Sequence, residues 1–100
     1  MEENISANKY DISDNIDLSN YNSQSNMYVI PKDGYITIAS RNGAIGQITL
    51  VSSNDVPIVA ITAVGTEYTT SNSLFVKKGM KCYCEVLSGA NVWASFRPLK

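Results

Sequence analysis

The chain has 100 residues, of which 44% are hydrophobic and 17% charged, and its formal net charge is −1. This length suits a single domain, and the near-neutral charge argues against nucleic acid as a partner. No apolar run approaches the roughly 18 residues that span a bilayer, and the N-terminus lacks a basic segment followed by an apolar one. We therefore expect no membrane insertion and no signal peptide, with synthesis in a cytosol.

The first 26 residues differ from the rest in composition. They are rich in Asn, Ser and Asp, and they hold five acidic residues against one lysine. Such a stretch buries too little apolar surface to fold alone, so we predict a polar N-terminal arm over 1–26 and a separate body over 27–100. The body carries more basic than acidic residues. The arm could lie on a basic body, its own or a neighbour's, or both surfaces could simply be solvated.

Two alternating apolar pairs interrupt the arm. Tyr10 with Ile12, and Ile16 with Leu18, have the period of two that suits a short strand at a sheet edge. We predict that these four residues dock the arm, by attachment or strand exchange, either on a partner or on the body.

The body reads as short β-rich runs separated by turn signals, at the spacing of a sandwich or barrel. Val, Ile, Thr and Tyr crowd the runs, and no stretch of about ten residues repeats apolar positions at helical spacing. The predicted strands are 27–30, 35–39, 45–52, 57–64, 73–76, 80–87 and 92–98. The fold class expected is therefore all-β, an antiparallel β-sandwich with an extended N-terminal arm. Asn42-Gly43 predicts a type I′ hairpin, because that turn needs a positive φ at both central residues.

The run 57–64 is apolar on both faces. One face carries Ile58, Ala60, Thr62 and Val64, whereas the other carries Val59, Ile61 and Ala63. A strand of a small monomeric sandwich normally has one face exposed to solvent, so a strand that is apolar on both sides is expected to be buried on both faces. We predict that subunit association covers the face of Val59, Ile61 and Ala63.

Aromatic residues oppose the aliphatic positions of the other runs. If the aliphatic set is core, then Tyr35, Phe75, Tyr83 and Trp93 become candidates for a second apolar surface, and Tyr83 and Trp93 for an oligomer interface. Each of them could instead cap an end of the sandwich.

Residues suited to catalysis or metal binding are scarce. The chain has no histidine, which removes the commonest general base and the usual metal ligand. Cys82 and Cys84 point to one face of a strand and are expected to be reduced core residues. We expect no enzyme, no metal and no cofactor.

Three segments resemble a known family: 28–38, which contains Pro31-Lys32-Asp33-Gly34, then 75–79, which ends in Lys78-Gly79, and 95–100, which contains Phe96. They resemble small bacteriophage fibre and tip proteins whose jelly-roll head is distantly like tumour necrosis factor or C1q trimers. The chain departs from that family at Met80, where an Asp often follows the Lys-Gly turn.

The resemblance implies a jelly-roll head and a homotrimer on a virion. The N-terminal segment would then mount the head on another fibre, tail or capsid protein, and the free end would face the host. The function predicted is thus a virion structural subunit, either a head or tail fibre or a decoration protein. The alternative is a receptor- or carbohydrate-binding tip module, in which Tyr35, Tyr68 or Trp93 would stack on a sugar of the host surface.

Overall fold

The computed structural model describes residues 15–99, which form eight β-strands. The strands are β1 Ile16–Asp17, β2 Tyr28–Val29, β3 Gly34–Ser40, β4 Ile45–Val51, β5 Pro57–Val64, β6 Thr70–Val76, β7 Lys81–Ser88 and β8 Val92–Pro98. The predicted all-β class is confirmed. Among residues 15–99 there is no helix long and apolar enough to cross a bilayer.

Two four-stranded antiparallel sheets face each other. The first sheet has the order β1-β8-β3-β6 and the second the order β2-β7-β4-β5. Within 15–99, β4 and β5 are the only successive strands that pair with each other, and all other connections cross between the sheets. This alternation is the topology of a jelly roll, as the resemblance implied.

The core lies between the sheets and is built by strict alternation. In β3, every second residue from Gly34 to Ser40 is buried, and β4 and β8 follow the same period. The core side chains include Leu18, Ile30, Ile36, Ile38, Ile48, Leu50, Ala63, Val76, Cys82, Cys84, Ala94 and Phe96. The period of two thus leaves one uncovered face on each sheet.

The Asn42-Gly43 turn has the predicted backbone but not the predicted pairing. Both residues have positive φ, 56° and 79°, and the Ala44 amide donates to the Arg41 carbonyl at 3.2 Å. However, β3 belongs to the first sheet and β4 to the second. The prediction of a hairpin is wrong: the turn carries the chain across the sandwich, and each strand is paired on both sides within its own sheet, β3 with β8 and β6, and β4 with β7 and β5.

Residues 16–21, within the predicted arm, pack against the body. Ile16 pairs with Phe96, and Leu18, only 1% exposed, belongs to the core. The Cys84 amide donates to the Tyr21 carbonyl at 2.8 Å, and its thiol donates to the Leu18 carbonyl at 3.3 Å. The body therefore includes residues from 16 onwards, because their few apolar side chains close the core at one side.

Asp33 anchors one end of the sandwich. Its Oδ1 accepts a hydrogen bond from the Lys78 amide at 2.9 Å, and its carbonyl accepts one from the Leu99 amide at 2.9 Å. The carboxylate comes from the neighbouring turn and stabilises the Lys78-Gly79 turn from outside. It supplies the polar anchor that the position of Met80 lacks.

We expect Asp33→Ala to lower the free energy of unfolding by about 1–2 kcal/mol, because the Lys78 amide loses its acceptor. Asp33→Asn keeps an acceptor oxygen at nearly the same place and should cost clearly less. Urea unfolding followed by circular dichroism measures both. Equal losses for the two variants would contradict the anchoring role.

Cys82 and Cys84 are both buried on the inner face of β7, as predicted, and both are free thiols. Burial raises the pKa of the Cys82 thiol to about 12, with a smaller contribution from neighbouring Cys84. Both the protonation and the burial of this thiol oppose alkylation of the folded protein.

The raised pKa of Cys82 predicts a loss of stability at alkaline pH. The thiol has an ordinary pKa of 9.0 when the chain is unfolded, so the unfolded state releases its proton first. The contribution to stability is complete below pH 9 and is lost as the pH rises toward about 12, with a slope of up to about 1.4 kcal/mol per pH unit. Urea unfolding at several pH values should show this slope in the wild type and a smaller one in Cys82→Ala. Identical pH dependence in both proteins would refute the assignment.

Candidate functional site

The outer face of the first sheet combines aromatic and small hydroxyl side chains. Paired positions put Arg97, Tyr35 and Phe75 in one row, Ser95, Thr37 and Ser73 in the next, and Trp93, Ala39 and Ser71 in a third. Thr37 and Ser73 hydrogen-bond to each other through their hydroxyls at 2.8 Å. The middle row of this face therefore carries short hydroxyl side chains, and the rows on either side of it carry aromatic side chains.

One aromatic cluster lies near the beginning of β3. The rings of Tyr35 and Phe75 meet edge to face at 5.4 Å, and Lys77 Nζ lies 5.8 Å from the centre of the Phe75 ring. Trp93 is 53% exposed and pairs with Ala39, four residues further along β3, which corresponds to about 13 Å. The structure thus brings three of the four predicted aromatic residues onto one face.

Tyr83, the fourth of these residues, and Tyr68, predicted as a ligand contact, lie elsewhere. Tyr83 is half-buried on the outer face of the second sheet, opposite Thr49. Tyr68 is 72% exposed in the connection between β5 and β6, at the opposite end of β3 from Tyr35. Tyr35 and Tyr68, predicted together as ligand contacts, therefore do not form one site.

β5 is the second uncovered surface, but its faces are reversed relative to the prediction. Ala63 is completely buried and Ile61 packs against the core, so both point inward. They were predicted to face a partner, and they cannot do so because the first sheet already covers them. Val59, on the same side of the strand, is 41% exposed near the open start of β5.

The outward side of β5 is apolar and open to solvent. Ile58 is 52% exposed and Val64 55%, and Ala60 and Thr62 between them are also exposed. No charged residue stands between Asp55 and Glu67. In the sequence, a strand without charged residues indicates such a surface. The sequence does not indicate that this strand lies at the edge of a sheet.

The structure describes two of the four residues that were predicted to dock the arm. Leu18 is core and Ile16 pairs with β8, so neither is available to dock on a separate protein. Tyr10 and Ile12 lie outside the described residues.

A cleft of about 350 Å³ opens between β7 and β8, with Cys84, Val86 and Ala94 on its walls and Ser19 and Asn22 at its rim. Glu85 is the acid that borders it. Burial raises the pKa of the Cys84 thiol, and the nearby Asp17 and Glu85 carboxylates raise it further. A protonated thiol beside a carboxylate is a poor nucleophile. In residues 15–99, no group of three His, Cys, Asp or Glu side chains could hold a metal ion.

No family model and no curated protein matches the chain. Among solved structures it is similar to the globular domain of zebrafish complement 1qA, at 16% identity over 72% of this chain and 64% of that one, with a TM-score of 0.42. It is also similar to a carbohydrate-binding module from Cellvibrio mixtus lichenase 5A in complex with cellotriose, at 14% identity over 86% and 70% of the two chains, with a TM-score of 0.39. The chain spans less than two thirds of the first of these structures.

Proposed function

We propose that this chain is a self-associating structural subunit, a homotrimer, located on a virion as a fibre or decoration protein. The observation that carries the self-association is β5. Within residues 15–99 it is an edge strand of its sheet, eight residues long, with an exposed apolar outward side and no charged residue. Native proteins protect such edges with charges, bulges, short strands or a covering element, because an open apolar edge recruits other chains.

The protection of β5 is slight. Pro57 occupies its first position, and the register with β4 shifts between Leu50 and Val51. Along the rest of the strand, the Asn72 side chain on β6 donates to the Thr62 carbonyl and ties one edge group down. These features leave the apolar side chains of Ile58 and Val64 exposed. A second copy that packed on them would remove their apolar surface from water.

Within residues 15–99, two surfaces with exposed apolar residues lie at different places on the molecule, and this arrangement favours a ring. β5 is the edge of the second sheet, whereas Tyr35, Phe75 and Trp93 lie on the outer face of the first. A contact between unlike surfaces is heterologous, and such a contact gives a ring, not a two-fold dimer, when the rotation between subunits closes. We propose three subunits in this ring because the fibre and tip proteins that the chain resembles have trimeric heads.

Light scattering with size exclusion tests this proposal. The wild type should have three times the chain mass of 10.9 kDa at micromolar concentration. The double variant Ile58→Lys with Val64→Lys should be monomeric, because a charge buried without a partner costs about 3 kcal/mol or more, over 100-fold in affinity. Ala90→Lys with Asn91→Lys adds the same two charges in an exposed turn and should remain trimeric. A wild-type mass of one chain would overturn the proposal.

The virion location has its own test. Mass spectrometry of particles purified from a phage that encodes the chain should detect it in constant proportion to the capsid protein. Absence from washed particles would remove the virion role and leave the self-association untouched.

Sugar binding is a second candidate, which the surroundings of Trp93 favour. This exposed indole shares its row with Ser71, and the next row carries Ser73 and Ser95. A flat ring beside hydroxyl groups can stack on a sugar and hydrogen-bond to it. A glycan panel should then give a signal with wild type and Phe75→Ala but none with Trp93→Ala. No signal from the wild type would exclude this candidate.

A further inference from the structure

Positive charge is concentrated at one end of the sandwich. This end is formed by the β2–β3, β4–β5 and β6–β7 connections together with the last residues of β8. Its charged side chains are Lys32, Lys77, Lys78, Lys81 and Arg97, against Asp33 and Asp55. The remaining charged residues in 15–99 are Arg41, Asp17, Glu67 and Glu85, a net negative set.

The two carboxylates of this end are already engaged. Asp55 pairs with Lys81 at 2.6 Å, and Asp33 accepts the Lys78 amide while its other oxygen lies 3.9 Å from Lys77 Nζ. Within residues 15–99, the ammonium groups of Lys32 and Lys78 are in no ion pair. The end therefore presents a surplus of positive charge that its own carboxylates do not neutralise.

This end also contains a concavity. A depression of about 290 Å³ lies between the β4–β5 and β6–β7 connections, lined by Ser52, Ser53, Lys77, Lys78, Gly79 and Met80. Met80 contributes an apolar side chain to it, and Lys77 and Lys78 contribute positive charge. A segment that carries both acidic and apolar residues fits such a surface.

The N-terminal segment of the same chain has that composition and starts from that end. Residues 1–14 contain Glu2, Glu3, Asp11 and Asp14 against Lys9, with Ile5, Tyr10 and Ile12 between them. The antiparallel register pairs Asp17 with Ser95 and Ile16 with Phe96, so the preceding chain begins at the level of Arg97. Fourteen residues reach up to about 48 Å, more than the 39 Å length of the molecule, so distance does not limit the contact.

We propose that residues 1–14 dock on the basic end of their own subunit, with their carboxylates against the lysines of the β2–β3 and β6–β7 connections. Charge complementarity selects the surface. The covalent link selects the subunit, because a short tether gives an effective concentration in the millimolar range or above. The attraction is between exposed charges, so it weakens with salt.

Paramagnetic relaxation in the full-length protein tests the contact. A nitroxide is attached at Ser6→Cys, since Cys82 and Cys84 are buried and poorly reactive. At low salt, the amide signals of Lys32 and Lys78 should broaden, and 1 M NaCl, where the Debye length is about 3 Å, should reduce the effect about twofold or more. Lys32→Glu with Lys78→Glu should reduce it as well. Arg41→Glu reverses one charge elsewhere on the body, as each of these two substitutions does at the basic end, and should leave the broadening unchanged.

A second pair of variants covers misfolding of the lysine variants. Asp11→Asn with Asp14→Asn changes only the segment and should weaken the broadening in the same way. Absence of broadening at the basic end, or broadening that ignores salt and both sets of variants, would overturn the proposal. Spin-labelled and isotope-labelled chains refolded together provide the last control. Broadening is compared between isotope-labelled chains that carry a nitroxide and those that do not. If only the chains without a nitroxide are broadened, the segment docks on a neighbour, and docking on its own subunit is refuted.

Discussion

Replacing Phe96 with alanine is expected to lower the free energy of unfolding by about 3–5 kcal/mol. The ring is completely buried, pairs with Ile36 on β3 and Ile16 on β1, and lies 5.8 Å from the ring of Tyr28 in the opposite sheet. Its loss opens a cavity at the junction of both sheets that alanine cannot fill. Urea unfolding at low protein concentration gives the value.

Phe75→Ala is the matched control for this change. The same side chain is removed, but from the outer face, where the ring is 39% exposed. The expected loss is about 1–2 kcal/mol because solvent replaces part of the contact. Equal losses for the two variants would contradict the assignment of inner and outer faces. A loss for Phe75→Ala that grows with protein concentration would report a contact between copies.

Gly34→Ala is the second change with a large expected effect, a destabilisation of about 1–3 kcal/mol or more. Gly34 begins β3 opposite Pro98, and its backbone is not in the left-handed region. A Cβ atom here would collide with the Arg97 carbonyl, and it would lie 2.8 Å from both Phe96 Cε1 and Pro98 Cα. Because the obstacles are mostly backbone, β3 and β8 would have to separate.

Gly43→Ala separates this packing effect from backbone strain. Gly43 has φ 79°, and no atom lies within 4 Å of the point that an alanine Cβ would occupy, so only the left-handed conformation opposes alanine. The expected cost is about 1 kcal/mol. Thermal unfolding of both variants should rank Gly34→Ala as the more damaging. The reverse order would mean that β3 and β8 are not closely packed at this point.

The strands themselves could be predicted from local patterns. The runs 57–64 and 92–98 coincide with β5 and β8, and the other body strands are displaced by at most three residues at either end. Alternation and turn residues are local signals, and they hold wherever a strand is flanked by turns. The alternating pair Ile16 and Leu18 indicated a short edge strand, but so short a signal does not say which sheet the strand joins, and only the pairing with β8 and the burial of Leu18 show that this strand is part of the body.

The candidate surfaces could be predicted only in part. The apolar residues on both sides of 57–64 indicated that β5 is unusual. Which of its sides faces inward is shown only by the contacts of Ala63 and Ile61 with the core. The aromatic set was likewise recognised as a group. Tyr83 separates from Tyr35, Phe75 and Trp93 because it stands on the other sheet, and no local pattern reports sheet membership.

The sequence by itself determined an all-β body, the backbone of the Asn42-Gly43 turn and the burial of two reduced thiols. These depend on residues close in the chain, through steric limits on φ and the two-residue period of a strand. The tertiary structure alone decided which strands pair, which side of β5 is open, and that the lysines of separate connections gather at one end. Those features join residues tens of positions apart, and their free energy comes from burying one face of each strand against the other sheet. Each strand alone is compatible with several partners, and the packing of all eight selects one.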